Sequence, residues 1–425
     1  MRQASRLWSC ALLALCLAFP ATTALAQKDE KKPPPTRRTQ VLGKAVYDQL
    51  EKAQQASDAE DYPKALQILN GIKRDWESLN DYEKAMLWNF YASVYYGMED
   101  LDKTLMAYQN VLKQEQLPEG LRNAAMFATA QLYLVSEQYT KALAILDRWL
   151  QIVADPRPDA YILKAQALYQ LERYAAAEEP IIQALRLAQQ REQSPRESWL
   201  SLLMAVYYEQ DKIAKAANVL EILVARFPKT AYYRQLAGMY GLLGRETDQL
   251  AVTRAAYEAG MLDSEAQIMN LARMYLAKEA PYPAIKVLRQ GLKDKTLKED
   301  KDVLQLYAQA LSFGQEHEAQ IPVLKKLANK TGESRHYIYL GQALSALARY
   351  AEAADAYRAA LKDEKLERPG DTWINVGTAL YNADKLEPAR KAFREAMKFD
   401  KSRDNAQKWI SFIGREIERK KALEL

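Results

Sequence analysis

Few residues in this 425-residue chain could do chemistry. There are two histidines, His317 and His336, and two cysteines, Cys10 and Cys16. Neither histidine has a second one at ligand spacing. Both read as solvent-side residues. No glycine-rich phosphate loop, no H-E-x-x-H, no G-x-S-x-G and no carboxylate pair in a distinctive setting occurs. The expectation is a protein that is not an enzyme, with no cofactor and no metal. What remains is a set of amides, tyrosines and arginines: Gln131, Gln166, Gln309 and Gln342; Tyr169 and Tyr208; Arg234 and Arg273. Amides both donate and accept hydrogen bonds, and arginine forks onto carboxylates. These types suit binding, and their meaning depends on the elements that carry them.

Those elements are helices. Only 15 residues are glycine, about half the ~7% usual in proteins, and strand-and-turn proteins need glycine for positive φ. The chain is also too long for one core, which stops growing near ~250–300 residues. It divides into domains or forms an elongated array, and internal self-similarity favours the array. "RYAEAADAYRAAL" at 349–361 returns as "KLEPARKAFREAM" at 385–397. A small residue opens each unit: Ala53, Ala92, Ala130, Ala165, Met204, Ala237, Ala272, Ala308, Gly341 and Gly377, with a mean spacing of 36. Twelve positions later stand Ala65, Thr104, Ala142, Ala177, Ala216, Gln249, Ala284, Gln320, Ala353 and Ala389. Four further on comes a large residue, except at Thr253. Spacings of three, four and seven lie on one helical face. Each unit is thus two amphipathic helices whose small residues allow close approach, and units must stack to bury what one pair cannot.

This pattern resembles the tetratricopeptide repeat (TPR). The match is strongest at Trp373, Val376, Gly377, Leu380, Ala389, Phe393 and Ala396, and at Tyr337, Leu340, Gly341, Leu344, Ala353, Tyr357 and Ala360. The unit at Ala237 is degenerate, with Gln249 and Thr253 where small and large residues belong. The resemblance implies an all-α, right-handed superhelical solenoid of about ten helix-turn-helix units over 41–400. First helices line its concave side, and the position after each small residue faces inward. That position holds Gln131, Gln166, Arg273, Gln309 and Gln342, among others. Three residues on come Tyr96, Tyr169, Tyr208 and Tyr381, with Arg234 in the middle of the array. One reading is a groove holding an extended peptide by its backbone, with Arg234 and Arg273 on a carboxylate. The plainer reading is a hydrated polar surface. The lysine–asparagine carboxylate clamp of chaperone-binding TPR proteins is absent.

Prolines fit this register. Pro63, Pro281, Pro283 and Pro388 fall near second-helix starts, where a missing N–H costs nothing. Pro180 and Pro322 sit deeper, so those helices should start late or kink. The polar stretch "QQREQSPRE" at 189–197 reads either as a joint between sub-arrays or as a longer loop. Residues 401–425 follow the last unit. Ala406, Trp409, Ile410, Ile413 and Ile417 mark one face of a helix there, which caps the array or docks a partner.

The amino-terminal 26 residues carry Arg2, Arg6, an apolar run Cys10–Phe19 and the A-x-A site Ala24-Leu25-Ala26, the pattern of a secretory signal peptide cleaved after Ala26. Cleavage removes both cysteines, leaving no disulfide framework and no thiol to mispair in an oxidising periplasm. It also removes Arg2 and Arg6, taking the net charge from +5 to +3. That balance argues against a nucleic-acid or anionic-membrane binder. No later segment is long and apolar enough to span a bilayer. Residues 27–40, with "KDEKKPPPTRR", read as a charged, proline-rich disordered leader or a docking tail.

Two stretches, 37–69 and 401–419, resemble secreted bacterial TPR proteins encoded beside TonB, ExbB and ExbD-type energy-transduction genes. The resemblance implies a periplasmic interaction scaffold, an accessory of a TonB-type transport system with TonB/ExbB/ExbD-type components as partners. The alternative is a periplasmic assembly factor for outer-membrane or exopolysaccharide machinery.

Overall fold

A computed structural model of the chain describes residues 41–423. The expected signal peptide and leader lie outside them. Every regular element among the described residues is helical, 21 α-helices and one 3-10 turn. Two compact units divide the chain between Pro228 and Lys229.

Unit 1 holds five helix pairs: α1 (Lys44–Asp58) with α2 (Tyr62–Arg74), α3 (Asp81–Gly97) with α4 (Leu101–Leu112), α5 (Glu119–Val135) with α6 (Tyr139–Ile152), α7 (Pro158–Gln170) with α8 (Tyr174–Gln190), and α9 (Glu197–Glu209) with α10 (Ile213–Arg226). Unit 2 holds five more: α11 (Thr230–Leu242) with α12 (Glu246–Glu258), α13 (Glu265–Ala277) with α14 (Pro281–Lys293), α15 (Lys301–Phe313) with α16 (His317–Thr331), α17 (Ser334–Ala346) with α18 (Tyr350–Ala360), and α19 (Pro369–Asn382) with α20 (Leu386–Ala396). A final helix, α21 (Asp400–Leu423), closes it. Within each unit every helix packs on the next, and first helices also meet: α1 on α3, α5 on α7, α7 on α9, and α13 on α15.

The ten turns inside the pairs are built alike. After each first helix one residue takes left-handed φ, and the next donates its N–H to a carbonyl five residues back, as Asp61 does to Ala56 (2.8 Å), Gln138 to Tyr133 (2.8 Å) and Arg349 to Leu344 (2.9 Å). This is the helix-ending motif that glycine usually serves. Here only Gly244 is glycine. The others are Glu60, Glu99, Glu137, Glu172, Asp211, Glu279, Gln315, Ala348 and Asp384. The scarcity of glycine is therefore real economy in the sequence, held at the cost of backbone strain in nine turns.

The crossing residues read from the repeat are the core. Ala53, Ala92, Ala130, Ala165 and Ala272 are fully buried, as are their partners Ala65, Thr104, Ala142, Ala177 and Ala284, and Ala353 and Ala389, the partners of Gly341 and Gly377. Smallness is required there. A Cβ on Gly341 would stand 2.5 Å from the Tyr357 ring, and one on Gly377 would stand 2.7 Å from Phe393. The degenerate unit behaves differently: Ala237, Gln249 and Thr253 are only half-buried. It is also the first pair of unit 2.

Helices α8 and α16 start on register and run through Pro180 and Pro322 as single helices, without the late start the sequence suggested. Each proline falls in the second turn, so one early ladder bond is lost and the rest hold. The 189–197 segment lies inside unit 1. Arg191 pairs with Asp155, and Arg196 meets Asp159 at 2.7 Å with its guanidinium over Trp199, while α8 and α9 pack directly. Helix α21 buries Ala406, Ile413 and Ile417 against unit 2, and Trp409 stacks on Phe393 with centroids 5.1 Å apart and planes at 4°.

Candidate functional site

The first helices carry the candidate residues, and the two units place them differently. In unit 1, Gln131 on α5 and Gln166 on α7 are half-buried. One helical turn before them stand Phe127 and Ile162, both buried, so the amides emerge from an apolar floor. Tyr169, on α7, is half-buried and lies edge-on to Tyr174 at 5.3 Å. Burial pushes its hydroxyl pKa up to about 12, helped by the Glu209 carboxylate and Tyr174. It stays a neutral donor and acceptor at any ordinary pH. Tyr208, on α9, is 38% exposed.

In unit 2, Arg234 (α11), Arg273 (α13), Gln309 (α15) and Gln342 (α17) are all exposed. They belong to continuous exposed stripes. On α11 the stripe runs through Ala231, Arg234, Gly238, Gly241 and Leu242. On α15 it runs through Asp302, Gln305, Gln309, Ser312 and Phe313. These are the spacings of one helical face. Neither Arg234 nor Arg273 has a hydrogen bond or ion pair among the described residues. Nearby cations off the stripe do: Lys278 with Glu246 at 2.6 Å, Arg245 with Asp248 at 2.7 Å and Arg254 with Glu258 at 3.4 Å. Sequence reading missed Leu242 (68% exposed) and Phe313 (59%) on these stripes, and Tyr339 (51%) on α17. The signal was available, since Leu242 and Phe313 both stand five residues after the small residue of their unit.

The structure thus gathers four candidates on the first helices of each unit. Among the described residues no three His, Cys, Asp or Glu side chains converge as a metal site, and no helix is long and apolar enough to cross a membrane. Two clefts lie elsewhere. One, of about 410 Å³, is bounded by Leu143, Asp147, Lys164, Arg173 and Pro180, with Lys164 and Asp147 paired at 2.6 Å. The other, of about 440 Å³, lies among Gly332, Tyr337, Lys362 and Asp363.

One expectation is corrected. His336 is not on the solvent side: it is 1% exposed. It opens α17, and its ring turns back onto the end of α16, where Nδ1 lies 2.8 Å from the Thr331 hydroxyl. His317 is half-buried, its Nδ1 3.3 Å from Gln320 Oε1. Gln320, standing where the repeat expects a small residue, is buried and donates to the Ala308 carbonyl at 3.1 Å.

A tetratricopeptide repeat family model matches residues 92–157 and 340–405. No curated protein matches the chain. Among solved structures, the TPR2AB domain in the pHSP90 complex of yeast Sti1 is 16% identical, with 62% of this chain and 99% of that one covered at a TM-score of 0.36. MamA MSR-1 is 22% identical over 40% of this chain and 97% of its own, at 0.33. YrrB, described as a TPR protein with an unusual peptide-binding site, is 16% identical over 44% and 94%, at 0.34. None of these likenesses bears on what this chain binds. Repeat register, stacked helix pairs and the family match at 92–157 and 340–405 agree on tetratricopeptide-type repeats in an all-helical solenoid fold.

Proposed function

We propose that this protein works as a non-catalytic interaction scaffold whose first-helix faces hold extended segments of partner proteins. TPR architectures serve protein–protein interaction in general, and one observation carries the reading here. Polar side chains recur once per repeat on neighbouring helices without partners of their own, notably Gln309, Gln342, Arg234 and Arg273. Unpaired amides and guanidinia are the groups an extended backbone and its carboxylates need. To test this, a photo-crosslinking residue is placed at Gln131, at Gln309 and at the outward-facing Ala351. Cross-links should form from the first two sites and not from the third. Adducts only from Ala351 would move the interface to the other face.

The site of action we propose is the periplasm, with cleavage after Ala26, in association with TonB/ExbB/ExbD-type components. The signal-peptide pattern and the likeness of 37–69 and 401–419 support it. The mature protein should begin at Gln27 by N-terminal sequencing, and the cross-linked partners should include those components. Partners drawn instead from outer-membrane or exopolysaccharide assembly would favour the alternative role.

A further inference from the structure

The exposed face of unit 2 has a chemistry more specific than an amide ladder. Helices α11 and α13 present Arg234 and Arg273 to water with no acid to neutralise either. Along the stripes of α11, α13 and α15 the single carboxylate is Asp302, in the first turn of α15. Around the same helices but off the stripes, Lys278, Arg245, Arg254 and Lys326 are all paired with carboxylates. The face therefore carries positive charge that no carboxylate on it pairs with.

The same face exposes large apolar groups. Leu242 is 68% exposed at the end of α11, and Phe313 is 59% exposed at the end of α15. Phe313 has an aromatic companion: the next residue, Gly314, accepts a 3.4 Å hydrogen bond from the hydroxyl of Tyr282, itself 63% exposed. Between the two ends the stripe is small, with Ala231, Gly238, Gly241 and Ala277. Free cations beside exposed apolar side chains complement one kind of occupant, a chain with the opposite charge and apolar side chains of its own.

Building on the scaffold reading above, we propose that unit 2 binds an acidic, extended segment of a partner protein. Its carboxylates pair with Arg234 and Arg273, and its bulky apolar side chains cover Leu242 and Phe313. A nucleic-acid strand would satisfy the arginines and stack a base on Phe313, but it would leave the aliphatic Leu242 without a partner.

The test uses the full chain and a dye-labelled peptide of about twelve residues alternating Glu with Leu or Phe, read by fluorescence anisotropy. A second peptide replaces every Glu by Gln. The acidic peptide should bind about tenfold more tightly than the neutral one, and its affinity should fall with added salt. Arg234→Gln with Arg273→Gln should erase that tenfold preference. Leu242→Ser with Phe313→Ser should weaken both peptides. Arg394→Gln, an exposed arginine on α20, should change neither. Circular dichroism melting should be the same for all variants. Equal binding of the two peptides, or a preference that survives the double arginine substitution, overturns the acidic assignment and leaves the scaffold reading standing. Tighter binding of single-stranded DNA than of the acidic peptide overturns it as well. No binding by either peptide, with no cross-link from Gln309, removes both readings.

Discussion

From Ala125 to Leu134, helix α5 exposes no side chain; from Lys301 to Phe313, helix α15 exposes six. The contrast extends to the neighbours. Helices α7 and α9 are covered until their last residues, whereas α11, α13 and α17 keep open stripes. Side-chain size accounts for it. Within unit 1, α5, α7 and α9 put Phe127, Ile162, Leu134, Tyr169 and Tyr208 along this row, and these large groups cover it, as α19 of unit 2 is also covered until Asn382. At the same positions α11, α15 and α17 of unit 2 put Arg234, Gln305, Gly241, Ser312 and Ser345, and the row stays open. Outside the degenerate pair, the crossing residues beneath are small in both units, Met204 and Gln320 apart. One repeat therefore separates two tasks: the small residues between helices fix the stack, while the residues on the outer row of the first helix tune what that stack shows to a partner.

The strongest way to break this comparison is to damage the stack in one unit. Ala353 is fully buried between α17 and α18, and Ala351, two residues away, is exposed. Ala353→Leu should cost about 1–3 kcal/mol through overpacking, and Ala351→Leu should stay within about 0.5 kcal/mol. Urea unfolding measures both, and hydrogen exchange locates the loss. Amides of α17 to α20 should lose protection while those of α1 to α10 keep it, because repeat arrays couple mainly to their neighbours. Ala142→Leu in unit 1 should give the mirror result. Equal loss of protection in both units after either substitution would mean that the two units unfold as one.

A smaller effect sharpens the comparison at the turns. In unit 1 every pair turns on an acidic residue in left-handed conformation; in unit 2 only Glu279 and Asp384 do so. Left-handed φ costs a non-glycine residue roughly 1–2 kcal/mol, and glycine returns about half of that as lost chain entropy. Glu137→Gly should therefore stabilise unit 1 by about 0.5–1 kcal/mol, raising its urea midpoint. Gly244→Glu in unit 2 should do the reverse by a similar amount. A destabilised Glu137→Gly variant would show that the carboxylate has a role in the fold that outweighs its strain.

Much of this was legible in the sequence, and the misses have physical causes. The alternation of small and large residues at fixed offsets fixed the register, because close helix crossing tolerates nothing else: Gly341 leaves no room for a Cβ under Tyr357. The polar, proline-containing stretch at 189–197 read as a joint or as a longer loop, and it lies within unit 1. Yet the two compact units part at Pro228, beside the degenerate pair, whose Ala237, Gln249 and Thr253 pack only partly. The candidate residues lie on first helices, where the register placed them, but their exposure was not legible, since it depends on the bulk of neighbouring rows. Prolines 180 and 322 were read as late starts or kinks because helix rules weigh the lost bond; both helices begin on register and continue past a proline that falls early enough to cost one ladder bond.

The smallest expected effect separates the units by pH. Both histidines belong to unit 2, and only His336 is buried. The Thr331 hydroxyl lies 2.9 Å from the Leu327 carbonyl and gives its proton there, so the His336 Nδ1 carries the proton shared with Thr331 at 2.8 Å. That leaves Nε2 as a buried lone pair with no partner. Adding a proton to it would place a charge where no acceptor waits. Burial accordingly lowers the histidine's pKa from 6.5, against the pull of Glu333 and with the push of Arg335 and Lys301. The sign follows from linkage. Above the unfolded value both states are neutral and stability does not depend on this group. As pH falls below about 6.5, the unfolded chain takes up a proton that the folded chain refuses, so unit 2 loses stability. The loss levels off once the folded histidine titrates. Urea unfolding at pH 7.5 and 5.5, followed by exchange protection at α16 and α17, should show unit 2 weakening and unit 1 nearly unchanged. His336→Phe should flatten the response of unit 2. A response that persists in that variant would assign the titration to another group and leave His336 a packing residue alone.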